Sequence, residues 1–322
     1  MPGKPIRQLL AAVAVFAVVG AAVAALLLFG EDGPTRPGAP PQESSAPVTT
    51  PAPADRVLVV KIDNVAAARP QTGLSAADVV YVEPVEGGLT RLAAVYSSRL
   101  PRVVGPVRSA RETDVELLAQ YGHPTLAFSG AAPEILPLLR RASMTTATEQ
   151  RVPGAYFRDA ARPRPHNLFA RPGLLPAGTG PGPRHVLVTG AAPGGGTPTA
   201  GHTVGFPAAS YDFRWSRRDA RWHVWLDGSP LLTTEAGQAA TATVVVQRVA
   251  IRRGAHVEDA AGSVSPVART VGTGPVTVLR DGRAFEGTWS RRSAGEGTTF
   301  TTSSGEPLPR AEGPVWILLV PR

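Results

Sequence analysis

The hydrophobic pattern of the chain begins with one long run that contains no charged residue. It covers residues 9–29, about 21 residues, which as a helix spans a hydrocarbon core of about 30 Å. Lys4 and Arg7 precede the run and two acidic residues follow it. By the positive-inside rule, residues 1–29 are predicted to form a single-pass anchor in the cell membrane, with the N-terminus in the cytoplasm and the rest of the chain outside it. The alternative, a cleaved signal peptide, normally has a shorter apolar region.

The pattern changes completely after the anchor. Residues 30–55 are rich in Pro, Ser, Thr and Ala and contain few large apolar side chains. Such a segment cannot bury enough surface to fold. It predicts a disordered tether, so the folded part of the chain is expected to begin near Arg56.

Between residues 56 and 190 the pattern predicts a mixed α/β domain. Apolar runs that favour strands lie at Val57–Ile62, Asp78–Val85, Leu89–Ser98, Arg102–Val107 and in "PTLAFSG". A helix is predicted after Ser109, because Ser109 and Glu112 have the spacing of a capping box. A second helix is predicted over Pro133–Arg141. Strands mixed with helices are typical of α/β or α+β domains.

The helical signal disappears after a Gly-rich and Pro-rich stretch at residues 172–203. Short strands then recur, and the pairs Asp227-Gly228 and Asp281-Gly282 are typical of hairpin turns. Residues 205–322 are therefore predicted to form a β-rich domain, either a sandwich or an open barrel. The whole chain is expected to be of the α+β class.

Composition excludes several kinds of chemistry. The chain has no cysteine, which excludes disulfides, thiolate metal sites and cysteine nucleophiles. The formal net charge is +8, but the arginines that carry it are scattered rather than clustered. We therefore expect no nucleic-acid partner.

Arg108 and Arg111 are the clearest candidates for binding an anion. They lie in "GPVRSARETD", between a predicted strand and a predicted helix. A guanidinium matches a carboxylate or phosphate in two-pronged geometry. Two cations at a helix N-terminus also oppose the helix dipole, so a negative partner is expected. The alternative is that nearby acidic residues such as Glu112 pair with them in solvent.

Catalysis and metal binding have weaker support. Glu83 and Glu86 could serve as the two carboxylates of a glycosidase, but their spacing does not establish the separation that this chemistry needs. Together with Asp63 and Asp78 they could instead hold a hard cation, although no EF-hand spacing is present. No nucleophile elbow, P-loop or zinc-peptidase motif occurs. The sequence therefore assigns no catalytic residue, metal or cofactor.

Five tryptophans stand out in the β-rich part. They are Trp215, Trp222, Trp225, Trp289 and Trp316. Exposed tryptophans could stack on sugar rings, whereas buried ones fill the core of a β domain, which is the more common role.

Several motifs together resemble the YerB-like family of bacterial envelope proteins, which is defined by a domain of unknown function, DUF3048. They are "VKIDNVAAARPQTGLSAADVVYVEPVEGGLTRLAAVYSS", "GPVRSARETD", "RPHNLF" and "GTW". The resemblance implies an N-terminal mixed domain, a β-rich C-terminal domain and an envelope location. Members are commonly lipoproteins, whereas this chain has no cysteine to carry a lipid.

The resemblance brings no established reaction, but it makes the family motifs the candidate ligand-binding site. Their residues are Arg69, Glu86, Thr90, Arg91, Arg108, Ser109, Arg111, His166 and Asn167. We expect a binding module for an anionic envelope polymer or an envelope protein rather than an enzyme. Two alternatives remain open: an envelope-polymer enzyme, such as a phosphotransferase or glycosidase, and a scaffold that organises other envelope enzymes.

Overall fold

The computed structural model describes residues 55–257, 262 and 264–322. The predicted membrane anchor and nearly all of the predicted tether lie outside these residues. Within the described part of the chain, no helix has the length and apolar character needed to cross a bilayer.

Strands dominate the described residues. The first ten are β1 (Asp55–Arg56), β2 (Leu58–Ile62), β3 (Val79–Pro84), β4 (Thr90–Tyr96), β5 (Thr125–Ala127), β6 (Thr145–Ala147), β7 (Tyr156–Arg158), β8 (Leu168–Ala170), β9 (Thr179–Gly180) and β10 (Thr197–Pro198). The remainder are β11 (Gly201–Phe206), β12 (Ala209–Ser216), β13 (Arg221–Leu226), β14 (Ser229–Pro230), β15 (Leu232–Thr233), β16 (Gly237–Gln238), β17 (Ala240–Thr241), β18 (Thr243–Val249), β19 (Ile251–Val257), β20 (Val264–Ala268), β21 (Gly272–Arg280), β22 (Arg283–Arg291), β23 (Thr299–Thr302) and β24 (Val315–Pro321).

The helices are few and short. The α-helices of the described residues are α1 (Thr113–Leu118), α2 (Ile135–Arg141) and α3 (Pro183–Val186). Single 3₁₀ turns occupy Ala66–Ala68, Leu74–Ala76, Glu86–Gly88, Ala119–Tyr121, Pro153–Ala155 and Pro172–Leu174. The fold is thus β-rich, with the two predicted helices of the first half present as α1 and α2.

The predicted capping box is wrong. The residue before α1 is Glu112, which has helical backbone angles, and no side chain caps the helix. Ser109 lies in an extended segment, because the Arg108 amide donates to the carbonyl of Lys61 and the Ala110 amide donates to that of Gly130. The predicted strand at Arg102–Val107 is also wrong: its residues make isolated bridges only.

The centre of the fold is one eleven-stranded mixed sheet. Its strands follow the order β10-β22-β21-β18-β24-β3-β4-β2-β5-β6, with β23 paired to β22. β24 lies between β18 and β3 and runs parallel to both. The sheet therefore combines strands from both predicted domains, and the predicted domain boundary stays a prediction.

Both faces of the central sheet are covered, which explains why strands such as β2 are buried along their whole length. On one face, Val57, Val59 and Tyr81 pack with Leu117 of α1 and Leu139 of α2. On the opposite face, the alternate residues of the same strands pack against a second sheet built from β11, β12, β13, β14 and β17. Because successive side chains of a strand point to opposite faces, the polar side chains of the central strands are also divided between the two faces of the sheet.

The β-rich part confirms two details of the sequence pattern. Asp227-Gly228 and Asp281-Gly282 form hairpin turns in which all four residues have positive φ, as type I′ turns require. Trp222, Trp289 and Trp316 are buried in the core, whereas Trp215 and Trp225 are half-buried.

Candidate functional site

The polar motif residues meet at one edge of the central sheet. β2 and β3 each pair antiparallel with β4, so they run in the same direction and end at the same edge. Asp63 follows the end of β2, Glu83 lies near the end of β3, and Arg91 lies at the start of β4, directly opposite Glu83. Carboxyl ends of parallel strands are common places for ligand sites.

The segment that contains Arg108 and Arg111 is held against this edge by backbone contacts. The Val107 amide donates to the carbonyl of Leu168, which brings the "RPHNLF" motif to the same place. Gly105 has φ of +154°, and a Cβ there would come within 2.8 Å of the Phe169 ring and 3.0 Å of the Leu168 carbonyl. Only glycine permits this close approach.

A buried triad of Lys61, Glu83 and Asp114 forms the inner layer of the site. The Lys61 Nζ donates to Glu83 Oε2 and Asp114 Oδ1, each at 2.7 Å, and all three side chains are fully buried. Burial and the neighbouring Asp114 carboxylate raise the pKa of Glu83 to about 7, although the Lys61 ammonium opposes this rise. Glu83 Oε1 is buried without a hydrogen-bond partner among the described residues. The triad can therefore change its charge near neutral pH.

Glu86 and Arg111 form a two-pronged ion pair beside the triad. Arg111 Nε donates to Glu86 Oε2 at 2.9 Å, and its Nη2 donates to Oε1. Ser265 of β20 donates its hydroxyl to Glu86 at 2.6 Å. Burial alone would raise the pKa of Glu86, but the hydrogen bonds and charge of Arg111, together with Ser265, lower it to about 2. Glu86 is therefore ionised at neutral pH and already bound to Arg111.

Arg91 occupies the centre of the site with few contacts. Its Nε lies 4.0 Å from Asp63 Oδ1 and its Nη2 lies 3.9 Å from Glu86 Oε1. Its Nε and Nη1 are buried with no hydrogen-bond partner in the described part of the chain, and the side chain is only 4% exposed. Burial and the neighbouring charge of Arg111 lower the pKa of Arg91 to about 10.

The outer layer consists of Asp63, Arg108 and His166. His166 Nδ1 lies 2.8 Å from Asp63 Oδ2. Arg108 Nε lies 3.1 Å from the same oxygen and forms an ion pair with it. The angle at the Nε–H group is unsuitable for a hydrogen bond. The side chains of Arg108 and His166 are 28% and 18% exposed. We call Asp63, Arg91, Arg108 and His166 the arginine site; it reaches solvent through Arg108 and His166.

Two family models match the chain. The N-terminal domain of the protein of unknown function DUF3048 matches residues 45–180, and its C-terminal domain matches residues 202–317. The chain belongs to the DUF3048 family. This confirms the resemblance inferred from the motifs. The arginine site draws its residues from three of the DUF3048 motifs.

The chain is also similar to YerB of Bacillus subtilis. It is 50% identical over 62 residues to "Putative lipoprotein YerB" of strain 168, a match that spans 19% of this chain and 19% of that protein. The crystal structure of the Bacillus subtilis YerB protein has a TM-score of 0.68 to this chain, with 22% identity, and the match covers 84% of this chain and 92% of that one. At this identity the structural match shows a shared fold.

The structure brings five of the nine predicted site residues together. Glu86, Arg91, Arg108, Arg111 and His166 lie within the contacts described above. Of the other four residues, Ser109 is half-buried in the extended segment next to Arg108.

The remaining three predicted residues make contacts that hold the surrounding structure. Thr90 points to the opposite face of β4, where its hydroxyl bonds Tyr211 at 2.9 Å. Arg69 pairs with Asp227 at 2.8 Å. Asn167 accepts a hydrogen bond from Arg158 at 3.1 Å.

The predicted site residues did not include Lys61, Asp114 or Ser265. Lys61 carried a signal, because it is one of only two lysines in the chain and interrupts the apolar run "VLVVKI". Asp114 carried a signal as an acidic residue three positions after Arg111 in "GPVRSARETD". Ser265 had none, since its contact with Glu86 joins distant parts of the chain. No three acidic or histidine side chains among the residues described here are arranged to hold a metal ion.

Proposed function

We propose that this DUF3048 protein is an extracytoplasmic binding module whose arginine site takes an anionic group of a cell-envelope polymer or envelope protein. The predicted helix at residues 9–29 would hold it in the membrane, and the tether at residues 30–55 would keep the mixed and β-rich domains away from the surface. The envelope location also rests on the similarity to the protein named "Putative lipoprotein YerB".

The proposal rests on the buried guanidinium of Arg91, which lacks hydrogen-bond acceptors among the described residues. Glu86 is engaged by Arg111, and Asp63 is shared by Arg108 and His166. Arg91 has only two distant carboxylates and no hydrogen bond for its buried nitrogens within the described chain. A buried guanidinium without acceptors is unfavourable. A carboxylate or phosphate group that reached Arg91 past Arg108 would supply those acceptors.

The binding experiment uses calorimetric titration of the full chain in detergent with inorganic phosphate and with phosphorylated wall glycopolymer fragments. An Arg108→Gln variant is expected to weaken binding by at least about tenfold, because a hydrogen bond to a charged group contributes about 1.5–3 kcal/mol. Arg102→Gln is the matched control, since Arg102 is an exposed arginine of the same segment. Equal affinity in the two variants, or no saturable binding by the unmodified chain, would refute the proposal.

A transferase role is the second candidate, and the Asp63 and His166 pair favours it. Asp63 orients the imidazole through Nδ1, so that Nε2 can accept a proton from an attacking hydroxyl. The hydroxyl oxygen would bond to the phosphorus of an activated donor while the bond from that phosphorus to the donor's leaving phosphate breaks, and Arg91 and Arg108 would stabilise the charge on both groups. Mass spectrometry of wall fragments incubated with the protein and an activated glycopolymer donor tests this role. A product that His166→Gln forms equally well contradicts it.

The membrane topology is tested separately by protease treatment of intact protoplasts. We expect the folded part to be digested or released together with its tether while the N-terminal end stays protected. Protection of the folded part in sealed protoplasts, with digestion only after lysis, would contradict the proposed orientation.

A further inference from the structure

A cavity lies at the same edge of the central sheet, beyond the arginine site. It has a volume of about 330 Å³ and opens between the carboxyl ends of β5 and β6, beside α2. β5 and β6 are parallel to each other and to β2. Crevices outside the carboxyl ends of neighbouring parallel strands commonly receive ligands. We call this cavity the β5–β6 cleft.

The walls of the cleft combine apolar and hydroxyl-bearing side chains. Phe128, Leu136 and Leu139 provide the apolar part, while Ser129 and Thr148 provide hydroxyl groups. Leu139 and Phe128 are buried and Leu136 is half-buried. A volume of this size lies at the lower end of small-molecule pockets, which combine apolar walls with a few polar groups.

The charge of the cleft is entirely positive among its described lining residues. Arg140 and Arg151 are the only charged side chains that line it. Arg151 Nη1 donates to the hydroxyl of Thr146. The side chain of Arg140 makes no hydrogen bond or ion pair with another described residue, and it is exposed. This differs from the arginine site, where Arg91 and Arg108 each face the carboxylate of Asp63.

We propose that the β5–β6 cleft binds a small organic anion. One carboxylate or phosphate group lies between Arg140 and Arg151, because two cations in a shared crevice favour an anion there and guanidinium groups match both kinds of oxyanion. The apolar body of the ligand packs on Leu136 and Leu139. The cleft therefore selects molecules with one charged end and one apolar end.

The cleft is distinct from the arginine site, although one segment contacts both. Ser129 donates its amide to the carbonyl of Arg108 at 3.0 Å, but neither Arg91, Arg108 nor His166 lines the cleft. The proposed ligand can therefore be tested with Arg108 replaced by glutamine, which separates the outcome from that of the proposed function.

The test is a ligand-observed NMR titration of the full chain in detergent. The chain carries the Arg108→Gln replacement. The probes are phenyl phosphate, benzoate, inorganic phosphate and the neutral benzyl alcohol. We expect saturable binding of phenyl phosphate, of benzoate or of both, at least about tenfold tighter than that of benzyl alcohol, since the charged contacts are absent in the alcohol. The two anions distinguish a preference for phosphate from one for carboxylate.

Variants identify the cleft as the place of binding. Arg140→Gln and Arg151→Gln are each expected to weaken binding of the preferred anion about tenfold. Arg141→Gln, an exposed neighbour on α2 that does not line the cleft, is expected to leave it unchanged. Leu136→Ala should weaken binding of the aromatic anion but not of inorganic phosphate.

Equal affinity in Arg140→Gln and Arg141→Gln overturns the proposal, as does equal affinity for the anion and the alcohol. Absence of saturable binding for both aromatic anions overturns it as well. Circular dichroism melting curves confirm that each variant is folded. Arg140, Arg141 and Arg151 are exposed, so their loss leaves the core intact.

Discussion

A Glu83→Gln substitution tests the electrostatics of the buried triad. Burial raises the pKa of Glu83 from its ordinary value of 4.5 to about 7, so the folded protein holds this proton more tightly than the unfolded chain. The stability that the protonated carboxyl contributes is complete below about pH 4.5 and is lost as the pH rises through 7. Glutamine has nearly the same shape but does not titrate.

The size of the effect follows from the pKa. One pKa unit corresponds to about 1.4 kcal/mol, so the rise predicts a contribution of about 3 kcal/mol to the free energy of unfolding. We therefore expect Glu83→Gln to gain stability relative to the unmodified protein between pH 5 and pH 8, by up to about 3 kcal/mol.

Urea unfolding curves at pH 5, 6, 7 and 8 measure this difference. Glu134→Gln is the control, because Glu134 is exposed and its replacement should leave the pH dependence unchanged. If the stabilities of the Glu83→Gln variant and the unmodified protein change in parallel with pH, the triad does not hold a raised pKa. A relative loss of stability in the variant as the pH rises would give the opposite sign and refute the reasoning directly.

Three further predictions concern the same edge of the sheet. Lys61→Met leaves two carboxyl groups buried without their cation and should lower the free energy of unfolding by about 3–5 kcal/mol in urea, with partial recovery when Glu83→Gln is added. Gly105→Ala places a methyl group against an aromatic ring at positive φ and should lower the melting temperature, whereas Gly154→Ala, with open space around it, should not. Because the pKa of Glu86 is lowered to about 2, its contribution is present above pH 4.5 and lost as the pH falls. Glu86→Gln should therefore be less stable than the unmodified protein at pH 6, with a gap that narrows toward pH 2 in acid-unfolding curves.

The sequence predicted the strands that are buried on both faces most accurately. The apolar runs at Val57–Ile62, Asp78–Val85 and Leu89–Ser98 correspond to β2, β3 and β4 within one or two residues at most ends. Local pattern suffices there, because a continuous apolar run has few other stable uses. The same reasoning failed for Arg102–Val107, since the backbone of that segment bonds to distant parts of the chain rather than to a neighbouring strand.

The site shows the same limit. The motifs indicated which residues would gather, but not which would pair. Arg111 binds Glu86, 25 positions earlier, together with Ser265, and His166 binds Asp63, 103 positions earlier. Such pairs depend on how the strands are ordered in the sheet, which no local pattern encodes.

The position of β24 has a consequence for how the protein is made. β24 is the last strand of the residues that the structure describes, yet it lies between β18 and β3 in the middle of the sheet. Until residues 315–321 have emerged, β3 and β18 each present an unpaired, apolar edge, which is a hazard for aggregation. The sheet that carries the arginine site can therefore close only after residues 315–321 have been made, so a chain that stops before them lacks the strand that joins β3 to β18.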